Sequence, residues 1–294
     1  MSLIGQEFDG YVIGPKIGNG GMGEVYQAYP PQRDEMVALK VMKAEVADEP
    51  ELQARFVREI RLMQQAHHEH IVPIYDYGNF QGRLYFTMKL ISGSLLGKLI
   101  HKKALSLAQA WNFIWPVANA LRFLHDNGII HRDVKPDNVF LHRQREGGWH
   151  VYLGDLGLGK NPQNDADLTY RGSQVGTHEY MSPQALSGEV LDYRTDIYSL
   201  GVMCYELMLG TLPVPPHLRD SKNIYKKFAA ETPPPTQFNP DFPASVEFVL
   251  LYCLQKEADD RYQSIEVFAE ALHRALADLP AEVRNRVYWH ELPD

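Results

Sequence analysis

Up to about position 88 the chain alternates short apolar runs of β type with turn residues, and beyond it apolar positions recur mostly at helical spacing. Tyr11-Val12-Ile13, Val25 to Tyr29, Met36 to Met42, Ile71 to Tyr75 and Leu84 to Met88 read as strands. One helix interrupts them over 49–66, where Leu52, Phe56, Ile60 and Met63 fall on one face. Lys89 to Gly93 reads as a linker with the breakers Ser92-Gly93. Ser106-Leu107-Ala108-Gln109 is a capping-box start for a helix reaching Asn127 and stopping at Gly128, with a kink expected at Pro116. Trp149 to Leu153 is a further strand. Asp196 is expected to cap an apolar helix over 197–209 that Gly210 ends, and helices near 244–255 and 264–278 follow. Residues 158–175 are polar without periodicity, as long functional loops often are. The pattern predicts an α+β protein, with a small strand-rich lobe before a larger helical one.

Composition narrows the setting. The 294 residues suffice for a sizeable core, and a formal net charge of −8 argues against nucleic acid as a partner. Cys204 and Cys253 both lie in apolar runs, so buried thiols and a reducing, cytoplasmic setting are expected. Neither a signal peptide nor a membrane segment is expected within the chain. The apolar stretch 197–214 is interrupted by Glu206 and ended by Gly210 and Pro213.

Candidate chemistry concentrates in Ile130-His131-Arg132-Asp133-Val134-Lys135-Pro136-Asp137-Asn138, a polar loop between apolar segments. Glycines 18, 20 and 23 form G-x-G-x-x-G, with Val25 extending it. Backbone N–H groups can approach a phosphate there. The following residues read as a strand rather than a helix, so a flexible hairpin turn stays an equal reading. Lys40 is a lone cation in an apolar strand, either an edge residue or a functional one. Glu59 borders the apolar stripe of its helix, free to reach a neighbouring sheet or to pair with Arg55 or Arg58. His67, His68 and His70 lack further ligands at metal spacing and are better read as a turn.

In this order and spacing the set resembles the eukaryotic-type protein kinase family, most closely its bacterial Ser/Thr members. The motifs are the glycine hairpin, Val37-Ala38-Leu39-Lys40, Glu59, His131-Arg132-Asp133 with Asn138, Asp155-Leu156-Gly157, and Gly176-Thr177 to Ser182-Pro183-Gln184. The resemblance covers 8–278 and implies a bilobal fold: an antiparallel-sheet N-lobe over 8–88 with one main helix, a hinge at 89–93, and a mainly helical C-lobe over 94–278. Residues 279–294 lie past the match and stay unassigned.

The resemblance further implies ATP with Mg2+ or Mn2+, and protein substrates bearing Ser or Thr acceptors. Ile17, Gly18, Asn19, Gly20, Gly21 and Gly23 are expected to cover the nucleotide, which Val25, Ala38 and Phe140 sandwich. Met88 stands at the back, and the backbone of Lys89 and Ile91 reads the base edge. Lys40 is expected on the α- and β-phosphates with Glu59 as its ion-pair partner, and Asn138 and Asp155 on the metal. Asp133 orients the acceptor hydroxyl, Lys135 stabilises the γ-phosphate, and Thr177 bridges these two. Asp196 takes hydrogen bonds from the backbone of the catalytic loop. Met63, Leu156 and His131 stack in a spine. Arg132 implies control by phosphorylation of Thr169 or Ser173, and the family pattern allows a dimer for trans-autophosphorylation. Asp137 suggests a preference for basic substrates.

Two residues depart from the pattern. Leu156 replaces the usual Phe. Gln184 replaces a Glu whose partner is a buried Arg, here Arg261, so partial exposure of Arg261 or a nearby acid such as Asp259 or Asp260 is expected. A scaffold without catalysis and a small-molecule kinase of the same fold are the competing readings. The complete set Lys40, Glu59, Asp133, Asn138 and Asp155 argues against the first, and Lys135 with the long segment 158–183 against the second.

Overall fold

The β-type runs of the first lobe become a six-stranded antiparallel sheet, although the strand expected over 71–75 instead spans Ile74–Phe80. A computed structural model describes residues 3–20, 23–30, 35–43, 50–65, 67–155, 177–219, 221 and 223–289. The strands are β1 (Glu7–Phe8), β2 (Tyr11–Gly20), β3 (Gly23–Tyr29), β4 (Val37–Met42), β5 (Ile74–Phe80) and β6 (Arg83–Lys89), in the order β1-β2-β3-β4-β6-β5. Every residue of β4 is buried. Leu39 and Val41 face a small core with Phe8, Tyr26 and Tyr85, while Ala38 and Met42 join the main core. A strand covered on both faces reads as a continuous apolar run, and Lys40 is the exception within it. Helix α1 (Pro50–Gln65) lays Phe56, Ile60 and Met63 against the main core, as its spacing predicts.

The second lobe begins with β7 (Gly93–Leu95), α2 (Leu96–Ile100) and α3 (Leu107–Asp126). Ser106 and Gln109 close the expected capping box of α3, and Pro116 lies inside it. β8 (Val139–Arg143) and β9 (Trp149–Leu153) form a second sheet with β7. Helices α4 (Pro183–Leu186), α5 (Arg194–Leu209), α6 (Ile224–Ala229), α7 (Pro235–Phe238), α8 (Ala244–Cys253), α9 (Ile265–Ala277) and α10 (Ala281–Arg284) follow. α5 is buried almost all round, which explains its unbroken apolar sequence. Among the described residues no helix is long and apolar enough to cross a membrane. α5 starts two residues before Asp196, so Asp196 stands in its first turn rather than at its cap.

The stretch past the last long helix folds back on the lobe. Tyr288 is 1% exposed, Val287 bridges Ser106, and the Trp289 indole donates to Leu207 O at 3.0 Å. That indole lies over the end of α5, where Gly210 has φ +68 and a Cβ would come within 2.5 Å of Trp289 Cε3. Left-handed backbone and a covering ring both demand glycine there. Gly210→Ala is therefore expected to lower unfolding stability by about 1–3 kcal/mol in urea titrations. An unchanged midpoint would contradict this role for Gly210.

Candidate active site

The loop 130–138 is tied to one carboxylate. Asp196, fully buried, accepts from His131 N at 2.8 Å through Oδ2 and from Arg132 N at 2.8 Å through Oδ1. His125 Nε2 adds a contact to Oδ2 at 2.8 Å. Burial pushes this carboxyl up, but the bond from His125, its charge and the backbone donors outweigh burial and leave it below the usual range. Asp196 therefore contributes stability at neutral pH that fades as acid protonates it. Arg132 takes left-handed backbone at φ 64, which turns the chain so that consecutive N–H groups meet the two carboxylate oxygens.

Asp133, Lys135 and Asn138 converge on that loop. Lys135 Nζ lies 3.1 Å from Asp133 Oδ2, and the Asn138 amide nitrogen donates to Asp133 Oδ2 at 2.8 Å and to Asp133 O at 2.6 Å. His131 is 1% exposed. Its Nδ1 accepts from Asp133 N at 3.2 Å, so its Nε2 is the nitrogen that carries the proton and donates to Gly154 O at 3.2 Å. His131, Met63 and Leu124 line one cavity with Gly154 and Asp155. Leu156 lies outside the described residues, as do Thr169, Ser173 and Gly21. Thr177 opens a short 3-10 turn, Thr177–Tyr180.

The first lobe brings Lys40 to the loop but not the expected Lys40–Glu59 pair. Lys40, 7% exposed, donates instead to Asp155 Oδ1, and Glu59 Oε1 takes Arg132 Nη1 at 2.9 Å. The physical reason is proximity of opposite charge. α1 presents Glu59 to the 130–138 loop, where Arg132 is nearer than Lys40, and the Asp155 carboxylate supplies Lys40 with an alternative partner.

Of the residues expected around the nucleotide, Val25 and Phe140 are half-buried, and Ala38 and Met88 are 3% and 7% exposed. Ile17, Gly18, Asn19 and Gly20 end β2, and Gly20 pairs with Gly23 across the hairpin. Gly23 has a reason of its own: a Cβ there would run into Val41 O on β4. At the lobe junction Lys89 N donates to Pro73 O at 3.0 Å and Lys89 Nζ to Tyr152 OH at 3.1 Å, two residues before Ile91.

Arg261 corrects an expectation. It is 1% exposed, and Asp259 pairs with Arg194 instead, at 2.5 Å. Arg261 donates to the carbonyls of Gln255 and Lys256 at 2.7 Å, to Arg194 O at 3.3 Å, and to Gln184 Oε1 at 2.7 Å. Gln184 Nε2 meanwhile donates to Lys256 O at 2.8 Å. An amide can accept from Arg261 and donate to Lys256 at once, and a carboxylate cannot. Backbone acceptors thus replace the missing carboxylate.

A polar patch beyond the sequence reading lies beside the loop. Tyr180 OH donates to Glu206 Oε2 at 2.5 Å. Burial, above all, pushes Glu206 up to about 7, aided by Asp137 and Glu179, while the Tyr180 bond opposes the rise. Lys227 pairs with Glu179 at 3.3 Å. In the sequence Glu206 read only as an interruption of an apolar helix, and His125 carried no signal at all.

The strand-rich lobe, the helical lobe and the loop between them define the protein kinase class. Residues 11–274 match the protein kinase domain family, and the chain belongs to it. Among its relatives, Serine/threonine-protein kinase PknH of Mycobacterium bovis is 34% identical over 280 residues, covering 94% of this chain and 46% of that protein. Serine/threonine-protein kinase Pkn1 of Myxococcus xanthus is 35% identical over 280 residues, covering 94% and 40%. The crystal structure of the Mycobacterium tuberculosis PknI kinase domain superposes with a TM-score of 0.75 at 28% identity, covering 94% of this chain and 99% of that one. The chain thus spans less than half the length of these two curated relatives. Members of this family use ATP and a divalent metal.

Glu206 yields a pH prediction. Its folded-state value near 7 exceeds the ordinary 4.5, so the folded chain binds the extra proton and stability falls as pH rises from about 4.5 to 7. Glu206→Gln keeps an acceptor for Tyr180 and removes that penalty. Its melting temperature is expected to exceed wild type at pH 8, with the gap closing at pH 5. A gap independent of pH would contradict the assignment.

Proposed function

We propose that this chain is a Ser/Thr protein kinase, which moves the γ-phosphate of ATP to a Ser or Thr hydroxyl of a protein. The observation that carries the reading is the convergence of Lys135 and Asn138 on the Asp133 carboxylate, at 3.1 and 2.8 Å, beside the Lys40–Asp155 pair. Asp133 accepts the proton of the acceptor hydroxyl as its oxygen bonds to phosphorus, and Lys135 offsets charge on the transferring group. The Asn138 amide nitrogen is spent on Asp133, which leaves its oxygen, with the Asp155 carboxylate, as a hard donor set suited to Mg2+ or Mn2+. The metal supplies charge neutralisation at the phosphates.

The observed pairs support a resting arrangement. Activation then requires Glu59 to leave Arg132 for Lys40, which releases Asp155 for the metal. It also frees Arg132 for a phosphate on Thr169 or Ser173. Arg132 Nε is buried and meets no acceptor among the described residues, so a further donor stands ready for such an anion. A second copy delivers that phosphate in trans. Asp137 favours substrates with Lys or Arg near the acceptor.

Incubation with γ-labelled ATP and a basic protein tests the reading. Wild type is expected to label it, and Asp133→Asn to do so on the order of a hundredfold more slowly. Equal labelling would overturn the kinase assignment. Mass spectrometry of the same wild-type sample is expected to find phosphate on Thr169 or Ser173, and its absence from 158–177 would overturn the loop-control reading.

A further inference from the structure

Gly154 precedes the metal-binding Asp155 and is pinned at both ends of its backbone. Its N–H donates to Asn138 O at 3.0 Å, and its carbonyl accepts from the His131 imidazole at 3.2 Å. Neither end can retreat without disturbing the catalytic loop. Its open face is closed by two side chains. A Cβ at this position would lie 2.9 Å from Phe140 Cε2 and 2.8 Å from Val72 Cγ2, nearer than packed atoms tolerate.

The two neighbours differ in their freedom. Val72 is 5% exposed and enclosed in the main core. Phe140, on β8, is half-buried, so part of its ring is not enclosed by neighbours. A side chain at 154 would meet an immovable backbone behind and a packed core at Val72. The ring is the group that gives way, and in the kinase reading, where it lies under the base, it gives way toward the base.

We propose that Gly154 is a positioning residue for the nucleotide: its missing side chain lets the Phe140 ring lie back far enough to serve as the floor beneath the base. Gly154 and Phe140 form a size-matched pair, and nucleotide affinity depends on the pair rather than on either residue alone. The proposal rests on the kinase reading above, in which Phe140 lies under the base.

The test measures ATP KM and kcat, with ATP binding by calorimetry and melting temperature, for wild type, Gly154→Ala, Phe140→Leu and the double variant. Gly154→Ala is expected to raise KM and Kd for ATP about tenfold, with kcat changed much less. Phe140→Leu removes the ring edge that a methyl at 154 would strike. Adding Gly154→Ala to Phe140→Leu is therefore expected to leave ATP affinity unchanged or improved. An affinity equal to wild type in Gly154→Ala would overturn the proposal, as would the same loss on adding Gly154→Ala in both backgrounds. If Gly154→Ala alone does not fold, the comparison of Phe140→Leu with the double variant still decides. A folded double variant that binds ATP as tightly as Phe140→Leu or more tightly supports the pair, and one that binds about tenfold more weakly than Phe140→Leu refutes it. A wild-type chain that neither binds nor consumes ATP would instead refute the kinase reading.

Discussion

A single buried carboxylate organises the catalytic loop. Asp196 sits in the first turn of a helix enclosed by the second lobe, and its two oxygens hold the consecutive N–H groups of His131 and Arg132. A buried charge is costly unless it is hydrogen-bonded and compensated. Here His125 and the two backbone donors supply the compensation and keep the group ionised. The return is a fixed backbone just before Asp133. Asp133, Lys135 and Asn138 then need only short local contacts to converge, and His131 carries the same order on to Gly154.

Lys40 and Glu59 come from the sheet and helix of the first lobe, and each bonds a residue of the second lobe rather than the other. In the proposed activation Lys40 would exchange the Asp155 carboxylate for that of Glu59, while the metal and a loop phosphate would take up the charges of Asp155 and Arg132. Such an arrangement would suit the proposed phosphoryl transfer, whose chemistry asks mainly for positioning and charge stabilisation. Under the proposed function, regulation and catalysis would share residues. Arg132 cannot serve Glu59 fully and a loop phosphate as well.

The sequence made some of this legible and hid the rest for physical reasons. Strand and helix periods located the sheet, the capped helix at Ser106 and the apolar helix 197–209, because periodicity is set by which face meets the core. The order of the polar motifs placed Lys40, Asp133, Asn138 and Asp155 in one site. Partner choice was not legible. Glu59 met Arg132 instead of Lys40 because pairing depends on the pose of a helix relative to a lobe, which no local pattern encodes. Arg261 proved fully buried because backbone carbonyls, invisible in composition, could satisfy it. His125 and Glu206 acquired meaning only through contacts distant in sequence, with Asp196 and Tyr180. The fit of Gly154 against Phe140 is likewise a matter of ångströms rather than of pattern.

The role of Asp196 is open to direct measurement by comparing Asp196→Asn with wild type for phosphoryl transfer and for ATP binding. An asparagine keeps one acceptor but turns an amide donor toward a backbone N–H and loses the charge that draws His125. The catalytic loop should lose its register while the nucleotide contacts of the first lobe persist. Transfer is expected to slow by about tenfold or more, with ATP affinity near wild type. An unchanged transfer rate would show that the loop holds its geometry without the carboxylate, and would contradict the account.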